Sequence, residues 1–322
     1  MNKTDVVCTL ACGTVLCALT LVGSATVRTL GGSIRQDDAK QMQGVHQAMV
    51  LFSCDDATGA LPTPGRINRW TDKWYGSVPG LGPESQGKNT SGHLYSALIA
   101  QEFIQTGDII SPAEVATNVV KYNGVDGKGY EYEMYNPAAD TYWAGDVADP
   151  ANNPGQGPEF RPNNMFKVKI NRPVQFGPCS TSYAHLMLCG ERKTRNWRVD
   201  AGSNKPILST RGPKSGATSG EQYTQSPTLL FFEPYDAWQG NIVFADGHVE
   251  FVDNFTPEGV TYACNDGKDQ PDNIFDSEFD ACVGGSSNNG WLAGDTWLSL
   301  TEICINSADG WLSVGLHDIL ID

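Results

Sequence analysis

The sequence predicts an α+β chain, with one long N-terminal α-helix followed by a β-rich globular head. Three observations carry this. An uncharged run of 22 residues, Val6 to Val27, passes without a proline into a polar segment that keeps helical spacing to about Cys54. The chain has 35 glycines and 18 prolines among 322 residues, too many for a helical bundle and suited to turn-rich β structure. Finally, Asp246-Gly247 stands between two runs of β-forming residues at Asn241–Val252, the pattern of a tight hairpin.

The apolar run lies between Asp5 and Arg28 and exceeds the roughly 20 residues a helix needs to cross a bilayer. Ile34, Met42, Val45, Met49 and Phe52 continue at helical spacing beyond it. One helix from about Asp5 to Cys54 would be a rod of about 75 Å at a rise of ~1.5 Å per residue. Two other readings stand beside it. Lys3 before the run and the small residues Gly23 to Thr26 fit a cleaved secretory signal, and a single-pass anchor fits equally.

The expected organisation is therefore an N-terminal helix at 1–56, apolar over 6–27 and amphipathic over 28–54, then an α+β head at 57–255. An acidic β region containing cysteine and tryptophan follows at 256–322. Gly59-Ala-Leu-Pro-Thr-Pro-Gly65 ends the first helix. Ser91 to Gly107 reads as a second helix with Gly107 as its stop. Ser111-Pro-Ala-Glu114 is a capping box opening a third toward Lys121. Strands are expected at Met165–Ile170, Tyr183–Leu188 and Thr228–Phe232. In the hairpin a two-residue loop would set Ala245 opposite His248, Phe244 opposite Val249 and Ile242 opposite Phe251, so that the last two pairs share a buried apolar face.

Charge bounds the partners. The net charge is −15, and residues 215–322 hold only Lys268 against 18 acidic side chains. Binding a polyanion rests on Lys and Arg releasing counterions, so nucleic acid is excluded as a general partner. The acidic C-terminal third instead suits a solvated face, a divalent cation or a basic neighbour. Arg192, Lys193, Arg195 and Arg198 around Trp197 offer a candidate basic surface. Asp266, Asp269, Asp272, Asp276 and Asp280, with Asn265 and Asn273, supply oxygen ligands of the kind calcium takes, without the EF-hand spacing.

Nine cysteines divide into Cys8, Cys12 and Cys17 in the apolar run and six outside it. Outside the cytoplasm those six favour disulfides, and spacing suggests Cys179–Cys189 and Cys264–Cys282 as local loops. No CxxC pair is present to mark a zinc ribbon or redox site. Nor is there an enzyme signature. Asp246, His248 and Glu250 form a cluster that hairpin chemistry explains, and the other histidines are scattered.

Four motifs together resemble a known family. They are Gln43-Gly-Val-His-Gln-Ala-Met-Val-Leu-Phe52 with Gly59-Ala-Leu-Pro62, then His93 to Ala100 with Ile110-Ser-Pro-Ala-Glu114. Ser182-Tyr-Ala-His185 with Arg211-Gly-Pro213 is the third, and Gly240 to Val252 the fourth. Their order is similar to that in bacterial pilin-like proteins of the type IV pilus and type II secretion class, in particular the planctomycete group with a prepilin-type processing-associated H-x9-DG domain. The resemblance reaches Val252 and leaves the last 70 residues uncovered. It departs at Asp236, where the family carries its His, and in lacking the usual processing site before a fifth-position Glu; Asp5 stands at that count from Met1.

The resemblance implies a non-enzymatic subunit of an extracellular filament or pseudopilus, inserted in the cytoplasmic membrane before assembly. Its partners would be further copies of itself, meeting through Met1, Asp5, Val6, Leu10, Val15, Leu19 and Val27, with Asp5 pairing a neighbour's amino group. Phe244, Asp246, Gly247 and Val249 would be the fold signature. A monomeric, membrane-anchored surface binder of glycans, using the aromatic and acidic region at Trp291–Trp311, is the alternative.

Overall fold

The computed structural model describes residues 34–67, 71–72, 76–77, 84, 89–117, 119–122, 180–213, 216–264, 267–277, 294–306 and 312–316. The chain divides into two compact units, Met1–Ser33 and Ile34–Asp322, and every described residue belongs to the second.

The first described helix, α1, spans Ile34–Phe52, only 19 residues. This corrects the expectation of one long helix from about Asp5 to Cys54 carrying a β-rich head. Gly31-Gly32-Ser33 precede α1 in the sequence, two poor helix formers and a residue suited to the N-cap. Among the described residues no helix is long and apolar enough to cross a membrane. The run Val6–Val27 lies outside them.

Rather than projecting from the body, α1 is built into it. Asp38, Met42, Val45, His46, Ala48 and Met49 are buried, a stripe at helical period facing the sheet, while Asp37, Lys40, Gly44 and Gln47 face solvent. Ile34, expected in the stripe, is 53% exposed. Short turns follow, including the one-turn helix α2 (Pro64–Ile67) and a ribbon of β1 (Thr71–Asp72) with β2 (Gly76–Ser77).

Helix α3, Ser91–Ala100, carries the apolar sequence of a buried helix, and Leu94, Tyr95, Ala97, Leu98 and Ile99 are wholly enclosed. It stops seven residues before Gly107. Phe103 N donates to Leu98 O (3.0 Å) and Glu102 N to Ile99 O (2.9 Å), with Glu102 at φ +61°. These are the two bonds of a Schellman motif, closed on Glu where Gly is usual.

The expected third helix is absent at Ser111–Glu114: the two capping side chains accept from nearby backbone N–H groups, Ser111 from Ala113 N (3.0 Å) and Glu114 from Ala116 N (2.9 Å), and also bind distant partners. The Ser111 hydroxyl donates to Asp38, and Glu114 receives Arg211 through Nε (3.0 Å) and Nη2 (2.6 Å). Thr228–Phe232 is likewise not a strand. Pro227–Leu230 forms a 3-10 turn, with Pro at its start and the Ser226 hydroxyl accepting from Thr228 N.

The body centres on a five-stranded antiparallel sheet. Its strands are β3 (Tyr183–Leu186), β4 (Pro206–Thr210), β5 (Gly240–Phe244), β6 (Val249–Val252) and β9 (Leu298–Ser299), in the order β6-β5-β4-β3-β9. Between β3 and β4 runs one π-helical turn, Arg192–Asn196; α4, Glu221–Thr224, follows β4. Helix α1 lies against β5 and β4. One core forms there from Met42, Val45, Met49, Leu98, Tyr183, Trp197, Leu208, Trp238, Ile242 and Phe244. Each such side chain contributes ~1.5–3 kcal/mol on burial. The two buried indoles also hold the strand connections: Trp197 Nε1 donates to Pro62 O (2.9 Å), and Trp238 Nε1 to Arg211 O (3.0 Å).

The hairpin forms where expected but one residue out of the expected register. Val243 faces Val249, Ile242 faces Glu250 and Asn241 faces Phe251. Phe244 N donates to His248 O (3.1 Å), leaving a three-residue loop in which Gly247 N returns to Phe244 O (2.9 Å) and Gly247 alone has positive φ, +86°. The cause is local. The Asp246 carboxylate accepts from His248 N (3.1 Å), so Asp246 is held in an Asx turn instead of the left-handed conformation that a two-residue loop demands.

The C-terminal region holds two further hairpins, β7 (Thr261–Ala263) with β8 (Asp269–Pro271) and β10 (Thr301–Asn306) with β11 (Leu312–Leu316). Both fall within residues 256–322.

Candidate functional site

Three polar constellations stand out among the described residues. The first is a buried carboxylate under α1. Asp38 occupies the helix position between Ile34 and Met42 that an apolar stripe would fill, and it is 0% exposed. Besides Ser111, its oxygens accept from Tyr183 OH (3.0 Å), Thr210 Oγ1 (3.1 Å) and Asn241 Nδ2 (2.7 Å). Burial raises its pKa, and the four hydrogen bonds oppose the rise. One side chain thus ties α1 to β3, β4, β5 and the loop after α3. The sequence analysis passed over it, although an acid in register with Met42, Val45 and Met49 is the signal of a buried polar anchor.

The second is a serine–histidine pair. His185 Nδ1 lies 2.8 Å from Leu186 O and must donate, so Nε2 accepts from Ser91 Oγ at 2.8 Å. Burial lowers the histidine to about 4, so the ring is neutral at neutral pH. Both residues are 0% exposed. The pair fastens the N-terminus of α3 to β3.

The third is the tip of the β5–β6 hairpin. Asp246 Oδ1 lies 2.5 Å from His248 Nδ1, and His248 Nε2 lies 3.6 Å from Glu250 Oε1. The His248 ring stacks on Phe244, centroids 4.3 Å apart and planes 3° off parallel. Beneath the tip, Gln43 Nε2 donates to Gly247 O (2.9 Å) and His46 packs against Gly247. Burial lowers His46 to about 4 against the pull of Asp246. Asp246 is itself held below its usual value: partial burial opposes ionisation, but hydrogen bonds from the His248 side chain and backbone outweigh it. Of the expected fold-signature residues, Phe244, Asp246 and Gly247 form this tip, and Val249 pairs with Val243 beside it.

The other candidates fare differently. Among the calcium candidates, Asp266 and Asp280 lie outside the described residues. Asp269 is exposed on β8, and Asp272 is buried, with Oδ2 accepting from Thr296 N (2.7 Å). Asp276 is exposed, though neighbouring atoms desolvate its carboxyl enough to raise its pKa. Among the described residues no three His, Cys, Asp or Glu side chains group to hold a metal ion. Cys264 is disulfide-bonded, and Cys282 lies outside the described residues. Cys189 is buried, and burial pushes its pKa up to about 11; Cys179, its suggested partner, lies outside the described residues.

The proposed basic surface is neutralised within the chain. Arg192 is buried against Asp295, Lys193 meets Glu84 (2.6 Å), Arg195 meets Glu191 (3.2 Å) and Arg198 meets Asp200 (2.8 Å). Trp297 is 8% exposed and packs inside, whereas Trp291 and Trp311 lie outside the described residues. The assembly candidates Met1, Asp5, Val6, Leu10, Val15, Leu19 and Val27 also lie outside. A small cavity beside Arg211, Gly212, Phe275 and Ser299 has room for about one water, on the order of 10 Å³. Compared with protein-family models, curated proteins and solved structures, the chain matches none.

Proposed function

We propose that this chain is a structural subunit of an extracellular pilus-like or pseudopilus filament, held in the cytoplasmic membrane before assembly. The observation that supports this most is the fate of α1. Its apolar face is enclosed by its own sheet and anchored by Asp38, so the body needs no partner to cover it. The 22-residue run Val6–Val27 is, by its sequence, long and apolar enough to sit in lipid or against like runs from other copies. Contacts that repeat head to tail without closing make filaments.

Replacing a residue of that run by a charge separates the run from the body. Full-length protein in detergent, diluted below the micelle threshold, is expected to sediment as large assemblies. Val15→Arg, which places in hydrocarbon a charge costing ~2.5–3.5 kcal/mol, is expected to stay in the supernatant with the near-UV circular dichroism of the body unchanged. Wild-type protein that stays monomeric at every concentration would instead support the anchored surface binder.

A further inference from the structure

We propose that the free edge of β6 takes the Met165–Ile170 run of a second copy of this chain as an added antiparallel strand. The proposal rests on the filament reading and names a contact within it. Three features point there.

The first is an edge with unused backbone groups. Strand β6 ends the five-stranded sheet and pairs with β5 alone. The bond from Phe244 N to His248 O marks that pair as hydrogen-bonded, so the alternation of an antiparallel ladder turns the N–H and C=O of Val249 and Phe251 away from β5. Among the described residues no hydrogen bond reaches either backbone from that side. Edge strands are ordinarily blunted by proline, lysine or a bulge. Strand β6 has none of these: it reads Val-Glu-Phe-Val, keeps unbroken register with β5, and is half-buried or exposed throughout.

The second is charge. Glu250 is exposed, Asp246 and Asp253 are exposed on either side of it in sequence, and no Lys or Arg occurs between Asn241 and Tyr262. Arg35 lies over the Phe251 ring, 3.6 Å from its centre, on the face that α1 covers, and alternation puts Glu250 on the other face. A second β6 is a poor occupant, because antiparallel pairing about its centre sets Glu250 against Glu250. The edge suits an extended run with basic side chains on one face and apolar ones on the other.

The third is that the chain carries such a run. Met165–Ile170, an expected strand that lies outside the described residues, reads Met-Phe-Lys-Val-Lys-Ile, so Phe166, Val168 and Ile170 alternate with Lys167 and Lys169. Setting Lys167 opposite Glu250 brings Val168 opposite Val249 and Phe166 opposite Phe251, an ion pair on one face and two apolar pairs on the other. Main-chain bonds give such an added strand its affinity, and the alternating side chains give it its register. Edge and run are different surfaces, so the contact is heterologous and can repeat from copy to copy along a filament.

A labelled peptide of residues 165–172, titrated against full-length protein kept dispersed in detergent and followed by fluorescence anisotropy, tests this. Saturation at one peptide per chain is expected. Glu250→Lys should weaken binding at least tenfold, and a peptide carrying Lys167→Glu and Lys169→Glu should bind that variant at least tenfold more tightly than the unaltered peptide does. Val249→Pro removes an outward N–H where an edge strand tolerates proline, and should weaken binding at least tenfold with the near-UV circular dichroism of the body unchanged. No binding to folded wild-type protein, equal binding by wild type and Glu250→Lys, or no recovery by the charge-swapped peptide would each overturn the contact. The chains are dispersed in this measurement, so its failure overturns the strand contact alone, whereas the filament reading stands or falls on fibre formation.

Discussion

Asp38 is the residue on which the described body turns. Four donors from four different elements converge on one carboxylate with no exposure to water. Removing it leaves the Tyr183, Ser111, Thr210 and Asn241 groups buried without their acceptor, each costing about 1–3 kcal/mol if left unpaired. Asp38→Ala is expected to destabilise the protein by about 3–5 kcal/mol in urea unfolding, and a loss under 1 kcal/mol would contradict the anchor.

The two buried histidines set the pH response. His46 and His185 are lowered from 6.5 to about 4 by burial, so below pH 6.5 the unfolded chain takes up protons that the folded chain refuses. Stability should therefore be full above pH 6.5 and fall as pH drops toward 4, by roughly 3 kcal/mol per histidine at most. Asp38 acts in the opposite sense. Burial raises its pKa, so the folded state keeps that proton to higher pH, and its contribution declines as pH rises through the folded value above 3.8. Urea midpoints between pH 4 and 7 are expected to rise with pH, with about half the slope lost in His46→Gln. A flat profile would show that neither ring is held neutral.

At the scale of elements, the end of α3 makes the sharpest prediction. Glu102 occupies a left-handed position that costs a non-glycine residue roughly 1–2 kcal/mol. Glu102→Gly should stabilise the protein by about 1 kcal/mol, read as a rise in melting temperature, and a fall would mean the Glu102 side chain has a compensating role. The same element shows how far local sequence could be read. The start of α3 at Ser91 was legible from its apolar pattern. Its end was not, because the pattern pointed to Gly107 and the chain closes the helix on a glutamate.

The hairpin repeats the lesson. Asp246-Gly247 between β-formers located it, but the Asp246 carboxylate chose an Asx turn and moved the register by one residue. Ser111 and Glu114 read correctly as capping residues in isolation; backbone N–H groups two residues on, and Asp38 and Arg211, 73 and 97 positions away, bind them. Such competition between local and distant partners has no signature within a short window.

At the scale of the molecule, the described body encloses α1 where the sequence suggested a rod carrying a head, and the apolar run precedes α1 in sequence. The acidic C-terminal third and the internally paired Arg192–Arg198 segment leave the described surface without a strong basic patch, and the proposed filament role rests on the apolar run instead. The most direct test of that account is negative-stain electron microscopy of protein sheared from native cells, with mass spectrometry of the fibres. Uniform fibres composed of this chain are the predicted result. Recovery of the chain only as detergent-soluble monomers from the membrane fraction would contradict it.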